Sequence, residues 1–300
     1  LGDVYKRQAE YYDHAVSELE WILEHSVGTD GGWPESTRYH VAVLNSMGFA
    51  AKVMNRARGE NWFENEKLRK MYDFMMRIQM PPDAAAAGIW KDRADYPPVG
   101  DADYSQMNGC IYAGIEGYAK TDPLFAAQLQ YALDREGGGI TDWLYLGPED
   151  LTAVSPALET TLFPDMGYVA FRQDYGTAAE DYAFYSSAGK LIGSHQHNDR
   201  GSFILYSDRT PISLDAGMCD YGAEEGPWYE GPEAHNTVAF YKEDGTLYAG
   251  SENASVLDFY QSEAYDYVKS DIGGGGNQSY QRHFLFLKDG LDAYVIWDEI

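Results

Sequence analysis

Residues 194–206 have the sequence Ser-His-Gln-His-Asn-Asp-Arg-Gly-Ser-Phe-Ile-Leu-Tyr, and this stretch decides how the second half of the chain is interpreted. It contains His195 and His197, two of the seven histidines, with Asp199 two residues further on. The apolar run that follows predicts a strand. A strand has a rigid backbone, so side chains at its start are held in the fixed positions that a metal or catalytic site needs. One imidazole can then face a metal while the other faces a substrate.

Two more candidate metal ligands follow downstream. Asp215 ends the run 211–215 and His235 begins the run 235–238, and we expect each of them to cap or precede a strand. Two imidazoles and one carboxylate, with water as the fourth ligand, are a common zinc donor set. The spacings of 18 and 20 residues from His197 to Asp215 and from Asp215 to His235 are too long for a finger-like site. They fit ligands from adjacent strands, although a purely structural role for the histidines stays open.

The order His-x-His-x-Asp also occurs in metal-dependent hydrolases, which gives a second interpretation of His195, His197 and Asp199. In those enzymes a further histidine normally follows the aspartate. Here Arg200 stands at that position, which weakens the prediction of a binuclear hydrolase. A metal-dependent glycan hydrolase therefore remains an alternative rather than the leading hypothesis.

The composition excludes some functions. The 300-residue chain carries a formal net charge of −26, whereas nucleic-acid binding needs a basic surface. An acidic substrate would need a local cationic pocket to overcome this global charge. The chain is rich in aromatic residues, with 25 Tyr and 7 Trp, and aromatic rings on concave surfaces commonly stack against sugars. No apolar run has the length of a transmembrane helix.

The hydrophobic period changes near the middle of the chain. From about residue 9 to residue 145 apolar residues recur at three- and four-residue spacing, which predicts at least five helices. From about residue 161 the period is two, and Asp-Gly pairs at 244–245 and 289–290 predict hairpin turns. We therefore predict a helical domain at 9–150, a linker at 151–160 and a β domain at 161–300.

Both ends of the sequence are expected to be truncated. Residues 1–8 have neither a helical period nor the layout of a signal peptide, and we interpret them as an adaptor scar. Residues 293–300 predict a strand that stops with the sequence, so we expect further strands to follow it.

Two polar stretches of the helical half are candidate site segments. Residues 32–40 place Arg38, Tyr39 and His40 in succession where an apolar helical stripe begins, so they can face a cleft or an ordinary surface. Residues 90–101 form a polar loop that contains Tyr96, and long polar loops often carry function.

The pattern from His195 through Asp215 to the segment 235–238 resembles the signature of the heparinase II/III-like polysaccharide lyases. This superfamily includes heparin, heparan and alginate lyases. The resemblance implies an α+β multidomain fold, in which an incomplete α/α toroid precedes an antiparallel β-sandwich. It also implies that the active cleft lies between the two domains.

The resemblance further implies roles for individual residues in the β half. His195 would line the cleft, and a zinc ion that mainly organises the β domain would bind to His197, Asp215 and His235. Tyr229 and Tyr221 are both candidates for a catalytic tyrosine from this half, with Tyr229 the first choice. Arg200 is predicted to bind substrate.

In the helical half, His40 occupies the place of an active-site histidine or asparagine in the family. Tyr96 is the predicted catalytic tyrosine and Tyr104 is its fallback, while Arg38 and Tyr39 are predicted to bind substrate. Some members have Asn immediately before the helical-domain histidine, whereas this chain has Tyr39. The group that neutralises the substrate carboxylate therefore remains open.

The function implied by the resemblance is cleavage of a uronic-acid-containing polysaccharide or oligosaccharide by β-elimination. A non-catalytic carbohydrate-binding protein is the alternative besides the hydrolase. The resemblance also implies a periplasmic or secreted protein of a bacterium. The uronate polymer, endo or exo cleavage and the oligomeric state are left open by the sequence.

Overall fold

The computed structural model describes residues 7–86, 91–104, 110–137, 151–187, 195–248, 254–274, 278–288 and 290–300. In these ranges the first half of the chain is helical and the second half is mainly β. The α-helices are α1 (Gln8–Ser26), α2 (Thr37–Arg58), α3 (Glu66–Ile78), α4 (Tyr112–Tyr118), α5 (Pro123–Arg135) and α6 (Gly226–Glu230). Short 3₁₀ helices cover Trp62–Glu64 and Pro232–Ala234.

The helix ends follow local sequence signals. The side chain of Asn65 accepts a hydrogen bond from the Leu68 amide and caps α3, and Asp122 caps α5 in the same way ahead of Pro123. Helix α2 ends at Gly59, which has φ +71° and donates its N–H to the Asn55 carbonyl. A left-handed residue of this kind stops a helix without the steric cost of a side chain.

The β half contains two antiparallel sheets. The first sheet has the order β1 (Thr161–Phe163), β2 (Tyr168–Gln173), β3 (Asp181–Ser186), β4 (Phe203–Ser207) and β5 (Thr210–Ser213). The second sheet has the order β6 (Ser255–Gln261), β7 (Tyr265–Asp271), β8 (Gln281–Leu287) and β9 (Ala293–Glu299). Neighbours in sequence are neighbours in space in both sheets, so each sheet is a meander.

The central strands β2 and β3 of the first sheet are buried on both faces. Alternate residues of β2, such as Tyr168 and Ala170, pack into the core shared with the helices. The residues between them, such as Val169 and Phe171, pack into the core shared with the second sheet. Burial of both faces explains why residues 168–171 are all apolar rather than alternating.

A buried ion cluster joins the two halves. Arg135, at the end of α5, donates two hydrogen bonds of 2.9 and 3.0 Å to the Glu180 carboxylate, and Arg172 of β2 donates a third of 2.9 Å. Arg172 also donates to the backbone carbonyls of Arg77 and Gln79, beside the end of α3. Together with the shared apolar core, these bonds fix the helices against the first sheet.

The predicted change from helices to antiparallel strands is confirmed, whereas the closure of the helices into a partial toroid and the domain boundaries stay predictions. The expectation that His235 precedes a strand is wrong. It follows a 3₁₀ helix, and residues 236–240 have no regular structure. Asp215 lies two residues after β5, as a strand cap would. The helical period of the sequence also predicts a helix at about 104–119, of which residues 105–109 lie outside the described residues.

Candidate functional site between the two halves

The turn that contains His195 packs against a loop of the helical half. His195 has φ +70°, an uncommon conformation for a residue with a side chain, and its carbonyl accepts a 3.1 Å hydrogen bond from the Asp101 amide. A Cβ on the preceding Gly100 would lie 2.5 Å from the same carbonyl oxygen. Glycine at position 100 therefore permits the close approach of the two halves.

The imidazole of His195 stacks on the ring of Tyr39, which projects from the first turn of α2. Their ring centroids are 3.7 Å apart and the planes differ by 14°. His195 Nδ1 also lies 3.7 Å from Glu35 Oε1, while the other Glu35 oxygen accepts a 3.1 Å bond from Trp33 Nε1. His195 remains partly exposed, so this pair is accessible from solvent.

A chain of hydrogen bonds leads from Tyr39 to His197. The hydroxyls of Tyr39 and Tyr221 are 2.8 Å apart, Tyr221 donates a 2.7 Å bond to Asp101 Oδ2, and Asp101 Oδ1 lies 3.0 Å from His197 Nε2. Because the single proton of Tyr221 goes to the carboxylate, Tyr39 must be the donor in the tyrosine pair. The chain alternates between halves, with Tyr39 and Asp101 from the helical half and Tyr221 and His197 from the β half.

The pKa of Tyr221 is raised. Burial of the hydroxyl contributes most, followed by the hydrogen bonds to Tyr39 and Asp101 and the negative charge of Asp101. A negative charge beside a phenol disfavours the phenolate. Tyr221 therefore holds its proton and acts as a donor to Asp101.

The three predicted zinc ligands form a buried cluster next to this chain. Asp215 contacts His235 Nδ1 with both oxygens, at 2.9 and 3.0 Å, and the His197 and His235 ring centroids are 5.4 Å apart. His197 Nδ1 and His235 Nε2 are buried and have no hydrogen-bond partner. Asp199 lies within electrostatic range of all three, and burial raises its pKa although the histidines oppose this.

Asn236 and Ser202 hold the backbone around this cluster. The side-chain amide of Asn236 donates bonds of 2.8–3.1 Å to the Phe203 carbonyl, the Ser213 hydroxyl and the Leu214 carbonyl. The Ser202 hydroxyl donates a 2.7 Å bond to Asp215 and accepts one of 3.1 Å from the backbone N–H of Asn236. His235 is thereby tied to the ends of β4 and β5 although no strand contains it.

The donor chemistry of the cluster fits zinc. His197 Nδ1 is buried without a partner, and the Asp215 carboxylate lies at His235 Nδ1 rather than at the partnerless Nε2, so Nδ1 is the nitrogen of His235 that could share an ion with Asp215. In the part of the chain that the structure describes, no group of three or more His, Cys, Asp or Glu side chains is already arranged around a common metal position. The zinc prediction thus stays a prediction.

Two of the residues predicted to be catalytic are buried away from this cluster. The Tyr96 ring is fully buried in the helical core, where its hydroxyl donates to Glu136, and burial raises its pKa well above the usual range. His40 is 1% exposed and stacks on Phe74, with ring centroids 4.9 Å apart. Neither side chain is exposed in this arrangement, and their catalytic roles stay predictions.

The other predicted residues surround the cluster in different ways. Tyr104 donates a 2.9 Å bond to the Asp215 carbonyl, and Tyr229 is half-buried in α6. Arg38 donates a 3.3 Å hydrogen bond to Met218 Sδ. The pKa of Asp103 is raised because the effect of burial exceeds the opposing effect of the Arg38 charge. The backbone carbonyl of Arg200 accepts a hydrogen bond from the Thr237 hydroxyl. The Nε atom of the Arg200 side chain is buried without a hydrogen-bond partner.

Asp101 and Glu35 were not among the predicted site residues. Both lie in the candidate segments 90–101 and 32–40, but no local pattern connects either carboxylate with the histidines. The Gly-Asp pair at 100–101 was the available signal, because a glycine beside a carboxylate is typical of a close backbone approach.

Comparisons with known proteins agree with this architecture. Residues 156–299 match the family model described as heparinase II/III-like, C-terminal. No curated protein sequence matches the chain significantly. Among the described residues, no helix is both long enough and apolar enough to cross a membrane.

Solved structures of heparinases share the fold. A heparinase III matches with a TM-score of 0.73 and 19% identity over 94% of this chain, and a second heparinase III with 0.75 and 18% over 98%. The heparan sulfate lyase HepC from Pedobacter heparinus matches with a TM-score of 0.70 and 18% identity over 94% of this chain. The chain spans 40–42% of the length of these proteins.

Proposed function

We propose that the protein is a polysaccharide lyase, on the premise that residues 156–299 match the heparinase II/III-like C-terminal family model. It would cleave a uronic-acid-containing polysaccharide or oligosaccharide by β-elimination. The observation that carries the proposal is the stack of Tyr39 on His195 across the boundary between the halves, 3.7 Å between ring centroids. An accessible imidazole and a phenol hydroxyl stand there side by side.

β-Elimination requires three groups in the site, each with a different role. A base removes the C5 proton of the uronate, an acid protonates the departing glycosidic oxygen, and a positive or hydrogen-bonding group stabilises the charge that develops on the carboxylate. The described cluster offers a histidine, two tyrosines and an arginine for these roles.

His195 is proposed as the group that accepts the C5 proton. Histidine is the side chain that most readily exchanges a proton near neutral pH. Stacking on Tyr39 and the nearby Glu35 carboxylate hold the ring in one orientation. A fixed orientation matters because proton transfer needs the donor and acceptor within hydrogen-bond reach.

Tyr39 is proposed as the acid. Its hydroxyl donates to Tyr221, whose own proton is held by Asp101, so these two bonds fix the position of the Tyr39 hydroxyl. Tyr221 is unsuited to the role of base because the negative charge of Asp101 contributes to its raised pKa. It is proposed to orient Tyr39 instead.

Arg38 is proposed to stabilise the substrate carboxylate. It is half-exposed and precedes Tyr39 on α2, and a guanidinium can bind a carboxylate with two parallel bonds. The neighbouring Asp103, on which the Arg38 charge acts, would have to share this cation with the substrate. A locally placed cation is required because the chain as a whole is strongly acidic.

A zinc ion is proposed to organise the β half, held by His197, Asp215 and His235. When bound, such an ion supplies a fixed crosslink between chain segments rather than a reacting group. The segments concerned are the histidine turn before β4, the end of β5 and the 3₁₀ helix at Pro232–Ala234.

The similarity to heparinases also supports the expectation that the protein is periplasmic or secreted in a bacterium.

The proposal is tested by incubating the protein with a panel of uronate polymers, comprising heparan sulfate, heparin, other glycosaminoglycans and alginate. A lyase creates a double bond that absorbs ultraviolet light as new reducing ends appear. We expect His195→Ala to reduce this rate about 10²–10⁴-fold. Tyr260→Phe, at an exposed tyrosine of β6, is the matched control and should leave the rate unchanged.

The alternatives give different results in the same assay. Reducing ends without ultraviolet absorbance would replace the lyase with a hydrolase, and binding without turnover would indicate a carbohydrate-binding protein. The geometry speaks against the hydrolase that uses His195, His197 and Asp199 together. His195 contacts Tyr39 and Glu35, whereas His197 contacts Asp101, so the two imidazoles have different surroundings.

A further inference from the structure

Asp101 is a buried carboxylate of the helical half that contacts the β half with both oxygens. Oδ1 lies 3.0 Å from His197 Nε2, and Oδ2 accepts a 2.7 Å bond from the Tyr221 hydroxyl. The side chain lies in the loop after Tyr96 and is 13% exposed. No sequence pattern connects it with the histidines, which are 96 residues away.

The contact with Asp101 determines which nitrogen of His197 carries the proton. An ionised carboxylate only accepts hydrogen bonds, so His197 Nε2 must be the donor and Nδ1 must carry the lone pair. Nδ1 is the nitrogen of His197 that is buried without a hydrogen-bond partner. Nδ1 is therefore the nitrogen through which His197 would bind the proposed zinc.

We infer that Asp101 is a positioning residue, supplied by the helical half, that holds His197 ready to bind metal through Nδ1 and holds Tyr221 beside Tyr39. The inference rests on the proposed zinc site. Metal-binding histidines commonly donate their second nitrogen to a carboxylate, which fixes the ring and raises its basicity. Here that carboxylate comes from the opposite half, so the metal site is completed across the boundary between them.

One consequence is that the proposed metal site and the proposed reaction site share a residue. The two oxygens of Asp101 have separate partners, His197 on the metal side and Tyr221 on the reaction side. Tyr221→Phe removes the second partner and leaves the first. Asp101→Asn has the same size but cannot accept both bonds in the same way, because its amide nitrogen donates.

The first measurement needs neither metal nor activity. In the metal-free protein, nitrogen-15 NMR of the imidazoles distinguishes the two tautomers, and the His197 signals are identified by their loss in His197→Gln. We expect the proton of His197 on Nε2 in the wild type and in Tyr221→Phe. In Asp101→Asn we expect the proton to move to Nδ1, since the amide can donate to Nε2. A wild-type His197 with its proton on Nδ1 overturns the inference.

The second measurement is zinc affinity by competition with a chromogenic chelator, with circular dichroism to verify folding. We expect Asp101→Asn to bind zinc about 10–100-fold more weakly, the usual effect of losing such a partner. Tyr221→Phe and the control Asp103→Asn should bind as the wild type does. Asp103 lies in the same loop but responds to Arg38 and Asp220 rather than to His197.

Zinc affinity in Asp101→Asn equal to that of the wild type overturns the inference, as does a wild type that takes up no zinc. Failure of the lyase proposal gives a different pattern. In that case no polymer is cleaved, while Asp101→Asn still shows weaker zinc binding and the altered tautomer of His197.

Discussion

Replacing Glu180 by glutamine is expected to destabilise the protein strongly because two arginines depend on its charge. The Glu180 side chain is fully buried, and those of Arg172 and Arg135 are 0% and 7% exposed. The carboxylate accepts three bonds from these guanidinium groups and a fourth, of 3.1 Å, from the Gly176 amide. Glutamine keeps the volume but leaves two buried positive charges without a counter-charge.

The expected loss is about 3–5 kcal/mol in the free energy of unfolding, the range for removing one partner of a buried ion pair. With typical unfolding entropies per residue, a loss of this size in a 300-residue protein lowers the melting temperature by roughly 5–8 °C. The assay is thermal and guanidinium unfolding followed by circular dichroism. The control is Glu299→Gln, which removes an exposed carboxylate that lies 3.4 Å from Lys269 and 3.1 Å from His283 Nε2 and should shift the midpoint by far less.

A shift of less than about 1 kcal/mol, the size expected of a surface pair, would refute this reasoning. It would mean that Arg172 is compensated by the backbone carbonyls of Arg77 and Gln79, and Arg135 by the Tyr175 ring over which it lies. The contact between the halves would then depend on the apolar core rather than on the ion cluster.

Two further predictions concern the other buried charges and ligands. His197→Ala should release the proposed zinc and lower the thermal midpoint, and stoichiometric zinc in a variant with alanine at His197, Asp215 and His235 would contradict the assignment of the ligands. Burial lowers the pKa of His40 to about 3, so the unfolded chain binds a proton between about pH 6.5 and pH 3 that the folded protein excludes. Stability should therefore fall as the pH is lowered through this window. His40→Gln should flatten this part of the pH profile of the unfolding free energy. An unchanged slope would mean that the imidazole becomes charged in the folded protein.

Much of the fold could be predicted because it depends on local signals. The helical stripe that ends at Gly59 and the caps at Asn65 and Asp122 are visible in the sequence, and so is the change to strands after residue 160. The exception was His235, which was expected to cap or precede a strand. Val238 to Phe240 are apolar, but Asn236 bonds to the backbone of β4 and of the segment after β5, and these tertiary contacts keep the run out of a sheet.

The site could be predicted only where the pattern was local. His195 and His197 stand out because they are one residue apart, whereas Asp101 acquires its role from contacts almost a hundred residues away. Tyr96 and His40 matched expected positions along the chain, but position does not determine depth. Packing places Tyr96 against Glu136 and His40 against Phe74, both in the interior.

The central claim is that the reaction takes place where Tyr39 of the helical half meets His195 of the β half. The most direct test compares the rates of double-bond formation on a uronate polymer for Tyr39→Phe and Tyr96→Phe. We expect Tyr39→Phe to fold normally and to lose about 10²–10⁴ in rate, while folded Tyr96→Phe retains the wild-type rate. A wild-type rate in Tyr39→Phe together with an inactive but folded Tyr96→Phe would contradict the account and place the chemistry at Tyr96.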